Sequence, residues 1–205
     1  MAEEDAAAAG PGPGKQGHGT AVDAAMALFA ARGWAATSRR DVAEAAGISF
    51  AELHAEFPTK AALLVRFMDG VDRAVLATPP EAGASVREAL FEVFMRRFDA
   101  LQPNREAMAR LAREVPMDPA AACRLAMRAT RSIAAMAELA GVDVCGPLGA
   151  LRARALAGLH AWVLRTWLAD DTQDMARTMK ALDQGLARLE TLARSLPGAR
   201  NDKAA

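Results

Sequence analysis

The residues that could carry chemistry are few and stand far apart. His18, His54 and His160 fall on different stretches, with no cysteine or carboxylate at metal-ligand spacing, and Cys123 and Cys145 read as lone reduced thiols. No nucleophile motif appears. The glycines between Gly10 and Gly19 alternate with proline and open no strand-turn-helix unit that would cradle a phosphate. The reading is of a protein that is not an enzyme and takes neither metal nor cofactor. What remains is a pocket: methionines with aromatics, which line adaptable apolar space.

The elements that would position these groups are helices. The chain is 52% hydrophobic, rich in Ala, Leu, Met and Arg, and has no tyrosine, a balance that favours an all-α fold of about nine helices. Formal net charge is zero, so no global field draws nucleic acid, and any DNA contact must come from local placement. The acidic, Pro-Gly-broken start is unlike a secretory signal. The most apolar helix, Leu151 to Leu168, carries Arg152, Arg154, His160 and Arg165, so no integral membrane segment is expected and the cytoplasm is the expected location.

Helix starts are legible as capping boxes, in which a hydroxyl and an acid three residues on satisfy each other's free amides. Thr20 with Asp23 predicts one start and Ser38 with Asp41 a second. Ser49 with Glu52 predicts a third, only two residues after the Gly47 turn. Leu53 and Phe57 give that third helix one buried stripe, and two short helices across a tight glycine turn make a helix-turn-helix. Phe57-Pro58 ends it and Thr59 caps a fourth helix, Lys60 to about Leu76. Further starts are predicted at Ser85 with Glu88, at Pro103-Asn104, at Asp118-Pro119, at Pro147 and at Asp171 with Asp174. Residues 1–18 and 198–205 are expected to be disordered tails, 19–68 the helix-turn-helix unit, and 69–197 a helical ligand-binding and dimerisation domain.

The run from Ala24 to Leu64, AAMALFAARGWAATSRRDVAEAAGISFAELHAEFPTKAALL, resembles the DNA-binding domain of the TetR/AcrR family of regulators. Leu28-Phe29, Gly33, Thr37-Ser38, Arg40-Asp41-Val42-Ala43, Ala46-Gly47-Ile48-Ser49, Leu53, Phe57-Pro58 and Lys60 carry the likeness. The resemblance implies a homodimer that binds double-stranded operator DNA and responds to a small apolar effector. The residues it places at DNA are Thr37, Ser38, Arg39, Arg40, Ser49, Phe50, His54 and Lys60. The expected effector pocket is lined by Phe94, Met95, Phe98, Met108, Met127 and Trp162, with His160 and Arg165 as orienting groups. The expected dimer interface is the heptad-like stripe Met175, Met179, Leu182, Leu186 and Leu189 of the last helix.

The reading face departs from the family's pattern. Where relatives commonly carry a small or basic residue, then Thr, Leu, Tyr, a variable residue and His or Asn, with the Thr and Tyr as phosphate anchors, this chain has Phe50, Ala51, Glu52, Leu53, His54, Ala55 and Glu56. Glu52 is accounted for by its own capping box; Glu56 would face phosphate with like charge or accept from a cytosine amino group. From Lys15 to Gly70 the bases Lys15, Arg32, Arg39, Arg40, Lys60 and Arg66 are matched in number by Asp23, Asp41, Glu44, Glu52, Glu56 and Asp69. A second, shorter likeness, WLADDTQDMARTMKALD from Trp167 to Asp183 together with Gly33-Trp34 and the region Arg87 to Pro119, is similar to TetR-fold accessory proteins of ubiquinone biosynthesis. That likeness implies lipid or quinone binding without DNA activity, although ARNDKAA offers no counterpart to those proteins' C-terminal amphipathic helix.

Overall fold

In the computed structural model the described residues, 13–172 and 174–195, contain nine α-helices, two single 3-10 turns and no strand. A small unit is made by α1 (Pro13–Arg32), α2 (Arg39–Ala46) and α3 (Phe50–Glu56), and α4 (Lys60–Leu76) leaves it for the body. The body is α5 (Val86–Leu101), α6 (Arg105–Glu114), α7 (Pro119–Leu139), α8 (Gly146–Leu168) and α9 (Ala176–Ser195). Of the tails expected at 1–18 and 198–205, residues 1–12 and 198–205 lie outside the described residues, as do Leu196 and the Pro197-Gly198 stop, whereas 13–18 are not a loose tail but the first turns of α1.

The capping boxes at Ser38, Ser49 and Ser85 all form, each with its acid three residues on. Thr59 caps α4 through the Ala62 amide and Asp118 caps α7 through that of Ala121. The first helix differs. It begins at Pro13 and runs through Thr20, because proline at a first helical position arrives with its φ already set and has no amide to satisfy. The last helix also starts later than the Asp171 and Asp174 pattern suggests. Its first amides are held by Thr172 Oγ1, by Asp174 Oδ1 and, from two residues past the end of α8, by Asp170, whose Oδ2 accepts from both the amide and the hydroxyl of Thr178 at 2.8 and 2.7 Å. Burial would raise the Asp170 carboxyl, but the bonds from Thr172 and Thr178 outweigh it and hold it below the usual range.

One core runs through both units. Phe29, Val42, Leu53 and Phe57 in the small unit belong to the same buried cluster as Phe94, Phe98, Ile133, Met136, Trp167 and Leu182 in the body. α1 packs on α6, and α4 packs on α5 and α7, so the small unit is seated rather than tethered. A charged network reinforces that seat. Arg97 of α5, 1% exposed, pairs with Asp72 of α4 and donates to Ser132 Oγ of α7 at 3.0 Å, while Arg128 of α7 bridges Asp69 and Asp72 at 2.7 and 2.5 Å. Removing one partner of such a buried pair costs far more than the pair contributes, so this set fixes the register of α4 on the body.

Candidate nucleic-acid interface

The reading unit is α2, a turn and α3. Gly47 adopts φ +68°, and its amide and that of Ile48 return to the last carbonyls of α2 at 3.1 Å. This closes α2 and turns the chain within two residues. The Ser49 box then starts α3, and Leu53, fully buried, with Phe57 pins it against the unit's core. Phe50, Ala51, Glu52, His54, Ala55 and Glu56 are left on the outer surface. The boxes fix two of the face's acids: bonds from Ser38 hold Asp41, and bonds from Ser49 hold Glu52, below the usual carboxylate range.

The expected DNA residues divide into three groups. Ser38 and Ser49 are exposed helix caps. Arg39, Phe50 and His54 form one cluster across α2 and α3: the Arg39 guanidinium lies 5.3 Å from the Phe50 ring centre and donates to His54 Nδ1 at 2.8 Å and to the Phe57 carbonyl at 3.1 Å. Because arginine can only donate, His54 accepts on Nδ1 and keeps its proton on Nε2, which becomes the ring's outward donor. Arg40 stands exposed on α2 beside them.

Thr37 and Lys60 are turned inward. Thr37 is 1% exposed and its hydroxyl donates to the Gly33 carbonyl at 2.7 Å. The Lys60 ammonium donates to the Trp34 and Thr37 carbonyls and sits 4.5 Å from the centre of the Trp34 ring. Burial pushes it below the usual lysine range, against the pull of Asp118 and Glu114. Lys60 thereby staples the start of α4 to the α1–α2 loop.

Sequence reasoning missed the seam between reading unit and body. The Glu114 carboxylate at the end of α6 accepts from the Ala35 amide at 3.0 Å, and the Trp34 indole donates to Asp118 at 3.4 Å. Gly33 has φ +84°, and a β-carbon there would come within 2.3 Å of Glu114 Oε1. The glycine and the acid were visible separately, but nothing local pairs residues so far apart in the chain.

The expected effector residues do not converge. Phe94, Phe98 and His160 are core: the His160 ring stacks on Phe98 with centroids 5.1 Å apart and meets Phe94 edge-on at 5.5 Å. Its Nε2 is buried and lacks a hydrogen-bond partner among the described residues. Burial, with the nearby Arg97 charge adding to it, pushes this imidazole down to about 3. Met108 is buried on α6 and Met95 half-buried on α5, whereas Met127, Trp162 and Arg165 face outward. An apolar groove of about 430 Å³ opens elsewhere, between the first turns of α5, the first half of α8 and the last half of α9. The expected dimer stripe also faces inward: Leu182 and Leu186 are 0% and 3% exposed, and Met175, Met179 and Leu189 are half-buried. Its heptad spacing records packing of α9 on α8 and α5 of its own chain.

Among the described residues no His, Cys, Asp and Glu group is placed to hold a metal ion, and no helix is long and apolar enough to cross a membrane. Fold and reading unit together define the class, an all-helical protein with an N-terminal helix-turn-helix seated on a helical body. Residues 21–67 match the model described as bacterial regulatory proteins, tetR family. Most of the chain shares the fold of solved TetR regulators. It is similar to a TetR transcriptional regulator from Nitrosomonas europaea (21% identity, TM-score 0.66, covering 85% of this chain and 98% of that one). It is also similar to a TetR regulator from Rhodococcus sp. RHA1 (20%, 0.62, 87% and 97%) and to Salmonella enterica GusR (21%, 0.62, 87% and 97%). No curated protein matches the chain significantly.

Proposed function

We propose that the protein is a homodimeric, cytoplasmic transcriptional regulator that binds a pseudo-palindromic operator through α2 and α3 and is released by a small apolar effector in its body. The observation that carries this reading is the fully formed helix-turn-helix, with both serine boxes closed and α3 presented outward. Ser38, Ser49, Arg40 and the Arg39–Phe50–His54 cluster are its phosphate and base-edge contacts, and Thr37 and Lys60 support them from behind. With the α9 stripe turned inward, the reading sets the dimer face on the outer side of α8 around Trp162, which is 44% exposed. No catalytic role is proposed for any residue.

The test is a gel shift at low salt with the DNA flanking the protein's own coding region. A shift that weakens with salt, and weakens for all fragments alike in Arg40→Ala, supports the reading. The acidic positions Glu52 and Glu56 and the folding of Arg39 onto α3 favour a second reading, a TetR-fold lipid- or quinone-binding accessory protein. Absence of a shift with every fragment, together with co-purifying isoprenoid lipid, would decide for it.

A further inference from the structure

We infer that Phe50 and His54 together read thymine in the major groove, Phe50 covering the C5-methyl group and His54 donating to the acceptor beside it. The inference rests on the regulator reading and deepens it, because it assigns a base to a surface whose residues depart from the pattern of similar proteins.

The two side chains form a platform. Phe50 is the first residue of α3 and, at 45% exposed, the one large apolar side chain left in water on the small unit among the described residues. His54 stands one turn further along the same face, and the two rings stack with centroids 6.1 Å apart and planes 16° from parallel. Arg39 locks them: its guanidinium lies over the Phe50 ring and is tied to His54 Nδ1 and to the Phe57 carbonyl. A surface held in this way by its neighbours binds without first losing side-chain freedom. Ala51 and Ala55, also exposed, add no bulk beside it, and the Glu52 carboxylate is turned back to the Ser49 amide at 2.8 Å.

The chemistry of the platform selects the base. It offers an apolar ring beside a single outward donor, His54 Nε2, since Nδ1 is occupied by Arg39. In the major groove thymine presents a methyl group beside its O4 acceptor, and no other base presents an apolar group there. Guanine and adenine offer acceptors but nothing for the ring to cover, and the cytosine amino group sets donor against donor. A donor left unpaired and shut off from water costs more than its bond contributes, so the platform rejects cytosine more sharply than it favours thymine.

Selection of binding sites by the full-length protein from a pool of random-sequence duplexes, at low salt, supplies the probe. The enriched duplexes are expected to carry thymine at one fixed position in each half-site. Replacing that thymine by uracil in one half-site removes only the methyl group and should weaken wild-type binding about fourfold, the value of one buried methyl. Phe50→Ala should bind more weakly and no longer distinguish the two duplexes, whereas His54→Ala should weaken both alike and keep the preference. An unchanged cooperative melt shows that each variant is folded, and the uracil comparison itself needs no variant. Enriched sites without a fixed thymine overturn the inference, as does equal wild-type affinity for the thymine and uracil duplexes. A uracil penalty that persists in Phe50→Ala, or full affinity in His54→Ala, overturns it too. In each of these cases sequence-selective binding stands, and the regulator reading with it. A pool that shows no enrichment removes the regulator reading and takes the inference with it.

Discussion

His160 shows what a sequence can and cannot say about a polar group on an apolar helix. Its position suggests a ligand-orienting role, but its ring is packed between Phe94 and Phe98 with one nitrogen unsatisfied. The consequence is electrostatic. Its folded-state value of about 3 lies well below the roughly 6.5 of an unfolded histidine, so on acidification the unfolded chain takes up a proton that the folded one refuses. Stability therefore falls as pH drops from about 6.5 towards 3, and His160 has no such effect above that window. Between pH 7 and 5 the loss is about 2 kcal/mol. His160→Phe should remove this part of the slope, measured as the difference between the two proteins' urea midpoints across pH; parallel slopes would refute the burial argument.

At the scale of elements, legibility followed the range of the interaction. A hydroxyl and an acid three residues apart satisfy each other within one turn, so the boxes at Ser38, Ser49 and Ser85 could be read directly. The start of α1 could not, because Pro-Gly composition masks a proline that is helical. For α9, periodicity located an apolar face, but the neighbour that covers it depends on the fold, and the covering helices are its own. Arg39 lying across α3 and the three-helix groove belong to the same kind, since their partners meet only in space. The Ser49 box carries its own expectation. Ser49→Ala should cost about 1 kcal/mol, lower the melting temperature by roughly 2–4 °C and speed exchange of the Glu52 amide. An undisturbed Glu52 amide would mean that α3 is held by Leu53 and Phe57 without its cap.

For the whole molecule, the inward α9 stripe separates two substitutions that periodicity alone would treat alike. Leu186→Glu buries a charge in the monomer's core and should cost several kcal/mol, seen as loss of soluble folded protein. Trp162→Glu changes only an exposed ring on α8 and should keep the helical circular dichroism of folded protein while shifting sedimentation from dimer to monomer and removing the concentration dependence of the melting temperature. A dimer that survives Trp162→Glu would place the two-fold elsewhere. The Gly33–Glu114 seam bears on a different matter, the interchange of parts between relatives. A reading unit grafted from another protein would have to bring a bare backbone to this position, or meet the α6 carboxylate head-on. It would also need a tryptophan or another donor for Asp118, and its own apolar residues to complete a core that crosses the junction. The head and body of this chain are thus not freely exchangeable cassettes, and a working chimera of it should be cut after α6 rather than after α3.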